Sequence, residues 1–154
     1  MGQVDMITKV KSDKIKIEHI NAQSIQGHLD EIRLLINDRN IDILCVSETW
    51  LLPTVENRFI NIPDFNIFRH DEGRGGGVCV YVRDSLKTSQ VHVSVPKVGG
   101  VDHIWLDIQS SKFPSFIIGT VYRHPHALIN SFEYLSDIFK EILLRKSLCS
   151  LLVT

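Results

Sequence analysis

Lys14 to Ile20 alternates charged and apolar residues, with Ile15 and Ile17 on one side. That is the pattern of a strand with one buried face. From Ser24 to Arg39 the apolar positions Ile25, Leu29, Ile32, Leu35 and Ile36 step by three and four, which predicts an amphipathic helix. Ile41 to Val46 is an apolar run broken only by Asp42, and reads as a buried strand. Strand, helix and strand within about 35 residues make a βαβ unit, whose crossover renders the two strands parallel and right-handed.

The middle of the chain reads as antiparallel or mixed sheet. Asn66 to Phe68 is a short candidate strand and Val78 to Val82 a stronger one, with Gly73, Gly75, Gly76 and Gly77 supplying the turn between them. Val91-His92-Val93-Ser94-Val95 alternates cleanly and predicts a half-exposed strand. Ile104, Leu106 and Ile108 share one face of another, and Phe116 to Tyr122 is apolar on both faces, so it belongs in the middle of a sheet. A second βαβ unit follows. Its helix runs over Asn130 to Lys146, with Asn130 and Glu133 as a capping-box-like start and Arg145 and Lys146 near the negative end of the helix dipole. Leu148 to Val153 reads as a further buried strand, and residues 1–12 as a weakly structured leader.

Composition narrows the class without changing the α/β picture. With 154 residues, 44% hydrophobic and 23% charged, the chain is globular rather than disordered or collagen-like. No apolar run approaches the ~18–20 residues of a membrane span, and no signal-peptide core is present, so an intracellular protein is expected. The formal charge of -1 provides no global basic field, so any grip on nucleic acid must be local. Cys45, Cys79 and Cys149 are odd in number, widely spaced and set in apolar runs, as buried free thiols are.

In open α/β sheets, sites form beyond the carboxyl ends of strands. The first strand ends at Asn21 and the parallel second strand at Ser47-Glu48-Thr49-Trp50, so Asn21 and Glu48 should emerge at one edge. Tyr122-Arg123 ends the strand that opens the second βαβ unit. An amide, a carboxylate, a phenol and a guanidinium suit a hydrated divalent metal and a phosphate. Each residue also has a plainer reading: Asn21 as a turn residue, Glu48 as a solvated or capping carboxylate, Trp50 as packing, Tyr122 and Arg123 as a strand end. Gly73-Arg74-Gly75-Gly76-Gly77 is followed by a strand, not a helix, so it reads as a hairpin connection rather than a phosphate loop. His124 and His126 have a spacing seen in metal sites, but nothing near them in sequence completes one. His19, His28, His70, His92 and His103 form no cluster readable from sequence.

Taken in order, these strings resemble one family: Asn21 after the first strand, Ser47-Glu48-Thr49-Trp50-Leu51 after the second, Arg69-His70-Asp71 before Gly75-Gly76-Gly77-Val78, then Tyr81-Val82-Arg83 and Val121-Tyr122-Arg123-His124-Pro125. It is the endonuclease/exonuclease/phosphatase superfamily (deoxyribonuclease I-like), in particular the endonuclease domain of non-LTR retrotransposons. The resemblance runs from about Lys14 to Thr154. It implies a four-layer α/β sandwich, with two mixed β-sheets flanked by helices, of which residues 13–154 would be a truncated, N-terminal part. It also implies a Mg²⁺-dependent phosphodiesterase that nicks DNA, in the nucleus. By that likeness Glu48 is a metal ligand, Asn21 helps to organise metal and phosphate, Tyr122 contacts the scissile phosphate and Arg123 binds substrate. His124 stands where the family often has Pro, a departure that bears on the loop more than on the chemistry.

Family members continue from the strand matching Leu148–Val153 into Gly-Asp-Phe-Asn, and later supply another Asp and an Asp-His pair. None of these strings occurs in the 154 residues. The expectation is therefore an endonuclease by kinship whose chain is inactive alone, with a non-catalytic remnant or binding fragment as the alternative. A phosphoesterase acting on small or lipid phosphates is a third possibility, disfavoured by the retrotransposon-like strings. Apolar faces of an incomplete two-sheet core would also favour self-association.

Overall fold

The computed structural model describes residues 14–145 and 150–153, and for 150–153 the backbone alone. Strands β1 (Ile17–Asn21), β2 (Ile43–Ser47), β3 (Phe65–His70) and β4 (Val78–Arg83) form one sheet in the order β1-β2-β4-β3. Strands β5 (Lys87–Gln90), β6 (Val101–Gln109), β7 (Phe116–Arg123) and β8 (Ser150–Val153) form a second in the order β5-β6-β7-β8. Both sheets are mixed: β1 with β2 and β7 with β8 are parallel, and every other pairing is antiparallel. Each parallel pair is bridged by a helix, α1 (Ile25–Arg39) and α2 (Asn130–Arg145), as the two βαβ patterns predict.

Period-two alternation sorts the strand residues into layers. Ile43 and Cys45 of β2 and Val78, Val80 and Val82 of β4 meet Ile104, Leu106, Ile108 and Ile118 of the other sheet. Their neighbours Leu44, Val46, Cys79 and Tyr81 face the opposite way and pack against Ile25, Ile32 and Ile36 of α1. On the far side Trp105 and Ile117 pack against Tyr134, Ile138 and Ile142 of α2. The order is helix, sheet, sheet, helix: the expected α/β sandwich. Burial on both faces is why β2 and β4 read as continuous apolar runs. Cys45 and Cys79 are buried free thiols as expected, while Cys149 and the leader 1–12 lie outside the described residues.

Two expectations need correction. Residues 91–95 do not form a strand. Val91 makes the last ladder bond, to the Trp105 carbonyl at 2.8 Å. The chain then runs over the outer face as an irregular strap, with Val91, Val93, Val95 and Val98 packed on the α2 side. Its Ser94 and Val95 N–H groups are taken by the Glu141 carboxylate of α2 at 2.9–3.2 Å instead of by a neighbouring strand. The real strand, β5, lies just before it in a polar edge segment without an alternating signature. The second correction concerns the cap of α2: the helix opens at Asn130 as expected, but Asn130 already lies inside the first turn and so is not the capping residue ahead of it. No helix among the described residues is long and apolar enough to cross a membrane.

Candidate functional site

One end of the sandwich gathers the chemistry, and strand register decides which residues arrive there. Asn21 is level with Ser47, Ser47 with Val78, and His70 with Val78. In the other sheet Tyr122 is level with Asp102. The carboxyl ends of β1, β2, β3 and β7 therefore meet the amino ends of the antiparallel strands β4 and β6.

Glu48 follows β2 in a left-handed backbone conformation (φ +52°), and Trp50 does the same (φ +56°). Side chains occupy this region at a cost, and it recurs where surrounding structure over-determines a functional group. Here the segment is clamped from both sides. Ser24 and Ile25, at the start of α1, donate to the Glu48 and Thr49 carbonyls at 3.0 and 3.1 Å. Thr49 and Trp50 donate to the Gly77 and Gly76 carbonyls at 3.2 and 3.0 Å. Gly77 has φ +86°, and a Cβ there would run into Thr49 Oγ1, so the close approach requires glycine.

On that clamp, Asn21 Nδ2 donates to Glu48 Oε1 at 2.8 Å and the Tyr122 hydroxyl donates to the same oxygen at 2.9 Å. Asn21 Oδ1 accepts from the Gln23 N–H at 3.2 Å, which fixes the amide's orientation. The Asn21 amide first, and the Tyr122 hydroxyl with it, hold the Glu48 carboxyl below its ordinary pKa against the opposing effect of burial. Burial first, and the hydrogen bond to Glu48 second, push the Tyr122 phenol up, so it remains a proton donor at neutral pH. Three of the residues chosen from sequence thus converge. The Glu48 oxygen Oε2 takes neither of these bonds, and an ionised carboxylate oxygen is the hard donor Mg²⁺ prefers; an amide can add a second only through its oxygen, Oδ1, which here accepts from Gln23. Arg123 is placed differently. Its guanidinium bonds Ser131 Oγ and the Ala127 carbonyl, both at 2.8 Å, and lies 4.4 Å over the Phe132 ring, bracing the loop before α2.

A second group of residues, unreadable as a cluster in sequence, lies beside the first. The Asp102 side chain is 2% exposed. It accepts from the Gly77 N–H at 2.9 Å and lies 2.7 Å from His124 Nε2, both on Oδ2. The His124 ring stands 5.0 Å from that of Tyr122, which links the two groups. His70 Nε2 is 3.7 Å from Asp102 Oδ1 and 3.3 Å from Glu72 Oε1, and Lys97 Nζ reaches Glu72 at 2.6 Å. His103 stacks on His70 with ring centroids 6.5 Å apart. Burial, with His70 beside it, drops the His103 pKa to about 4, so it is neutral. Its Nδ1 accepts from Trp105 Nε1, which leaves the proton on Nε2, 2.8 Å from the Tyr134 hydroxyl. So His124 does have a partner, from a distant strand, and His70, His103 and His124 gather around Asp102. Of these, Glu72, Lys97, Asp102 and His124 border an open cleft of about 530 Å³ that continues past Gly99 to His126 and Asn130.

The family profile described as Endonuclease/Exonuclease/phosphatase matches residues 19–146. The chain belongs to this family. Among solved structures, the catalytic domain of human Nocturnin with bound sulfate is similar at 14% identity and TM-score 0.63, over 90% of this chain and 62% of that one. The 3' phosphatase NExo from Neisseria, bound to product DNA hairpin, matches at 16% and 0.62 over 91% and 56%. The endonuclease domain of TRAS1, a telomere-specific non-LTR retrotransposon, matches at 16% and 0.58 over 80% and 53%. At these identities the likeness is one of fold. The chain spans roughly half to two thirds of the length of these structures. No curated protein matches the sequence. The Arg69 string is architectural: Arg69 grips Asp71, the Leu52 and Val55 carbonyls and Asn57, holding the 52–57 loop against β3.

Proposed function

We propose that this family member is a Mg²⁺-dependent phosphodiesterase that nicks DNA in the manner of non-LTR retrotransposon endonucleases, with Asn21, Glu48 and Tyr122 in its active site. The observation that carries this reading is the convergence of Asn21 and Tyr122 on Glu48 Oε1 from opposite sheets, at 2.8 and 2.9 Å. Glu48 and the Asn21 amide would hold the cation, and bound Mg²⁺ would neutralise charge on a phosphate. Asn21 orients the carboxylate and keeps it ionised. Tyr122 presents a phenol whose oxygen can turn its proton from Glu48 to a phosphate oxygen. Arg123 supports substrate binding through the loop it braces, beside the open cleft. With a formal charge of -1, the grip on DNA falls to local groups such as Arg74, whose guanidinium is 5.8 Å from the Trp50 ring, and Lys97. Residues 13–154 are taken as the N-terminal part of such a domain, working inside the cell and in the nucleus, with further site residues supplied by segments outside these 154.

The test is relaxation of supercoiled plasmid to open circle with Mg²⁺, by this chain and by a version continued through the following coding sequence. Nicking by the continued chain that stops with EDTA and falls at least about 100-fold in Glu48→Gln supports the reading. Nicking unchanged in Glu48→Gln, or turnover of small phosphoesters in place of plasmid, overturns it. The alternative is a non-catalytic binding fragment. It predicts DNA binding without nicking in both versions.

A further inference from the structure

We propose that His70, Glu72 and Asp102 form a Zn²⁺ site separate from Glu48, from which the ion displaces the Lys97 ammonium. Each residue offers one ligand atom, and these atoms lie within 4.8 Å of one another. One imidazole and two carboxylates are a zinc-type donor set, whereas Mg²⁺ favours oxygen alone. Two of the three ligand-to-ligand spacings come close to those around bound zinc, and the third lies within 4.8 Å, so the ion would draw Glu72 and Asp102 together. A tetrahedron with bonds of about 2.0–2.1 Å has edges of about 3.3–3.4 Å. His70 Nε2 stands 3.3 Å from Glu72 Oε1 and 3.7 Å from Asp102 Oδ1.

The supporting shell is built. The Gly77 N–H and His124 hold Asp102 through its other oxygen, Oδ2, leaving Oδ1 toward His70. The His103 ring lies parallel to that of His70, with 4° between the planes and the centroids 6.5 Å apart. Lys97 answers the Glu72 carboxylate with its ammonium at 2.6 Å and stands 3.4 Å from His70 Nε2. Half-exposed on the irregular strap, Lys97 puts a single positive charge against two of the three residues a divalent ion would engage. The fourth coordination position then faces the cleft of about 530 Å³ and is open to water or a ligand oxygen. Bound there, Zn²⁺ would tie the end of β3 to the start of β6, one sheet to the other, beside Tyr122.

The site stands independently of the Mg²⁺ reading, and the experiment separates them. Tag-free chain, stripped with chelator, is titrated with ZnCl₂ in a calorimeter and its melting followed with and without the metal. The expected result is one ion per chain at about 10 μM or tighter with a raised Tm. Affinity should fall at least about tenfold in His70→Ala and in Glu72→Gln, and be retained in Glu48→Gln. Lys97→Met should bind more tightly than wild type, a gain that no folding defect can imitate. Co²⁺ in place of Zn²⁺ should give the visible absorption of a four-coordinate ion, absent in His70→Ala. Failure of both wild type and Lys97→Met to bind Zn²⁺ saturably overturns the proposal, as does binding indifferent to His70→Ala.

Discussion

At Glu48 the backbone enters the left-handed region while the side chain accepts from two sheets at once. Conformations of this kind cost on the order of 1–3 kcal/mol and persist where neighbours enforce them. Gly77 is one of the enforcers, because its carbonyl holds Thr49 and its N–H holds Asp102. Gly77→Ala should lower stability by at least about 1–3 kcal/mol, since it combines a positive φ with a collision against Thr49. Urea unfolding measures this, and an unchanged midpoint would contradict it. Tyr122→Phe keeps the ring's packing and removes only the hydroxyl. In a nicking-competent version, activity should fall roughly 10–100-fold while the melt moves little. Glu48 and Tyr122 were readable in sequence because each directly follows or ends an apolar strand. The burdened φ at Glu48 was not, since no residue type there announces it.

At the scale of elements, the strap 91–98 and helix α2 act as one unit. Glu141 accepts from Ser94 and Val95, and Arg145 bonds both Glu141 and the His92 carbonyl. The Ser94 N–H, before the other contacts, holds the Glu141 carboxyl below its ordinary value. A depressed folded pKa contributes stability above the unfolded value of about 4.5, and that stability is lost as pH falls through the lower folded value. Glu141→Gln should therefore melt below wild type at pH 7, and the gap should close on acidification; a pH-independent gap would refute the assignment. On the outer face of β7, Gly119 leaves room for the Trp105 ring, which a Cβ would penetrate. Gly119→Ala should cost about 1–3 kcal/mol by overpacking, read as a lowered Tm. These details also explain what the periodicity missed. Alternating valines in 91–95 describe an extended chain with one buried side, and a strap satisfied by Glu141 meets that description as well as a strand does. The polar edge strand β5 buries too little to leave a pattern.

For the whole molecule, the two-sheet sandwich buries its inner faces well but leaves apolar side chains on the α2 side. Leu128, Ile129, Phe132, Leu143 and Leu144 are exposed, Ile129 and Leu144 by more than four fifths. Surfaces of this kind favour association. At micromolar concentration the chain should elute ahead of a 17.6 kDa monomer in size-exclusion chromatography. A sharp monomer peak would count against that. The amino-acid sequence by itself determined the two βαβ units, the buried strands, and the arrival of Asn21 and Glu48 at one edge; the packing of the second sheet on the first added Tyr122. The units, the strands and the shared edge of Asn21 and Glu48 follow from local periodicity and from the rule that parallel strands end together. Only the tertiary structure decided that Asp102 and Gly77 join them, because they stand at the amino ends of strands whose antiparallel pairing brings them to the same edge. It also decided the gathering of His70, His103 and His124, which are far apart along the chain and share no pattern. Their proximity depends on the register between strands and the packing of one sheet on the other, which no window of neighbouring residues encodes.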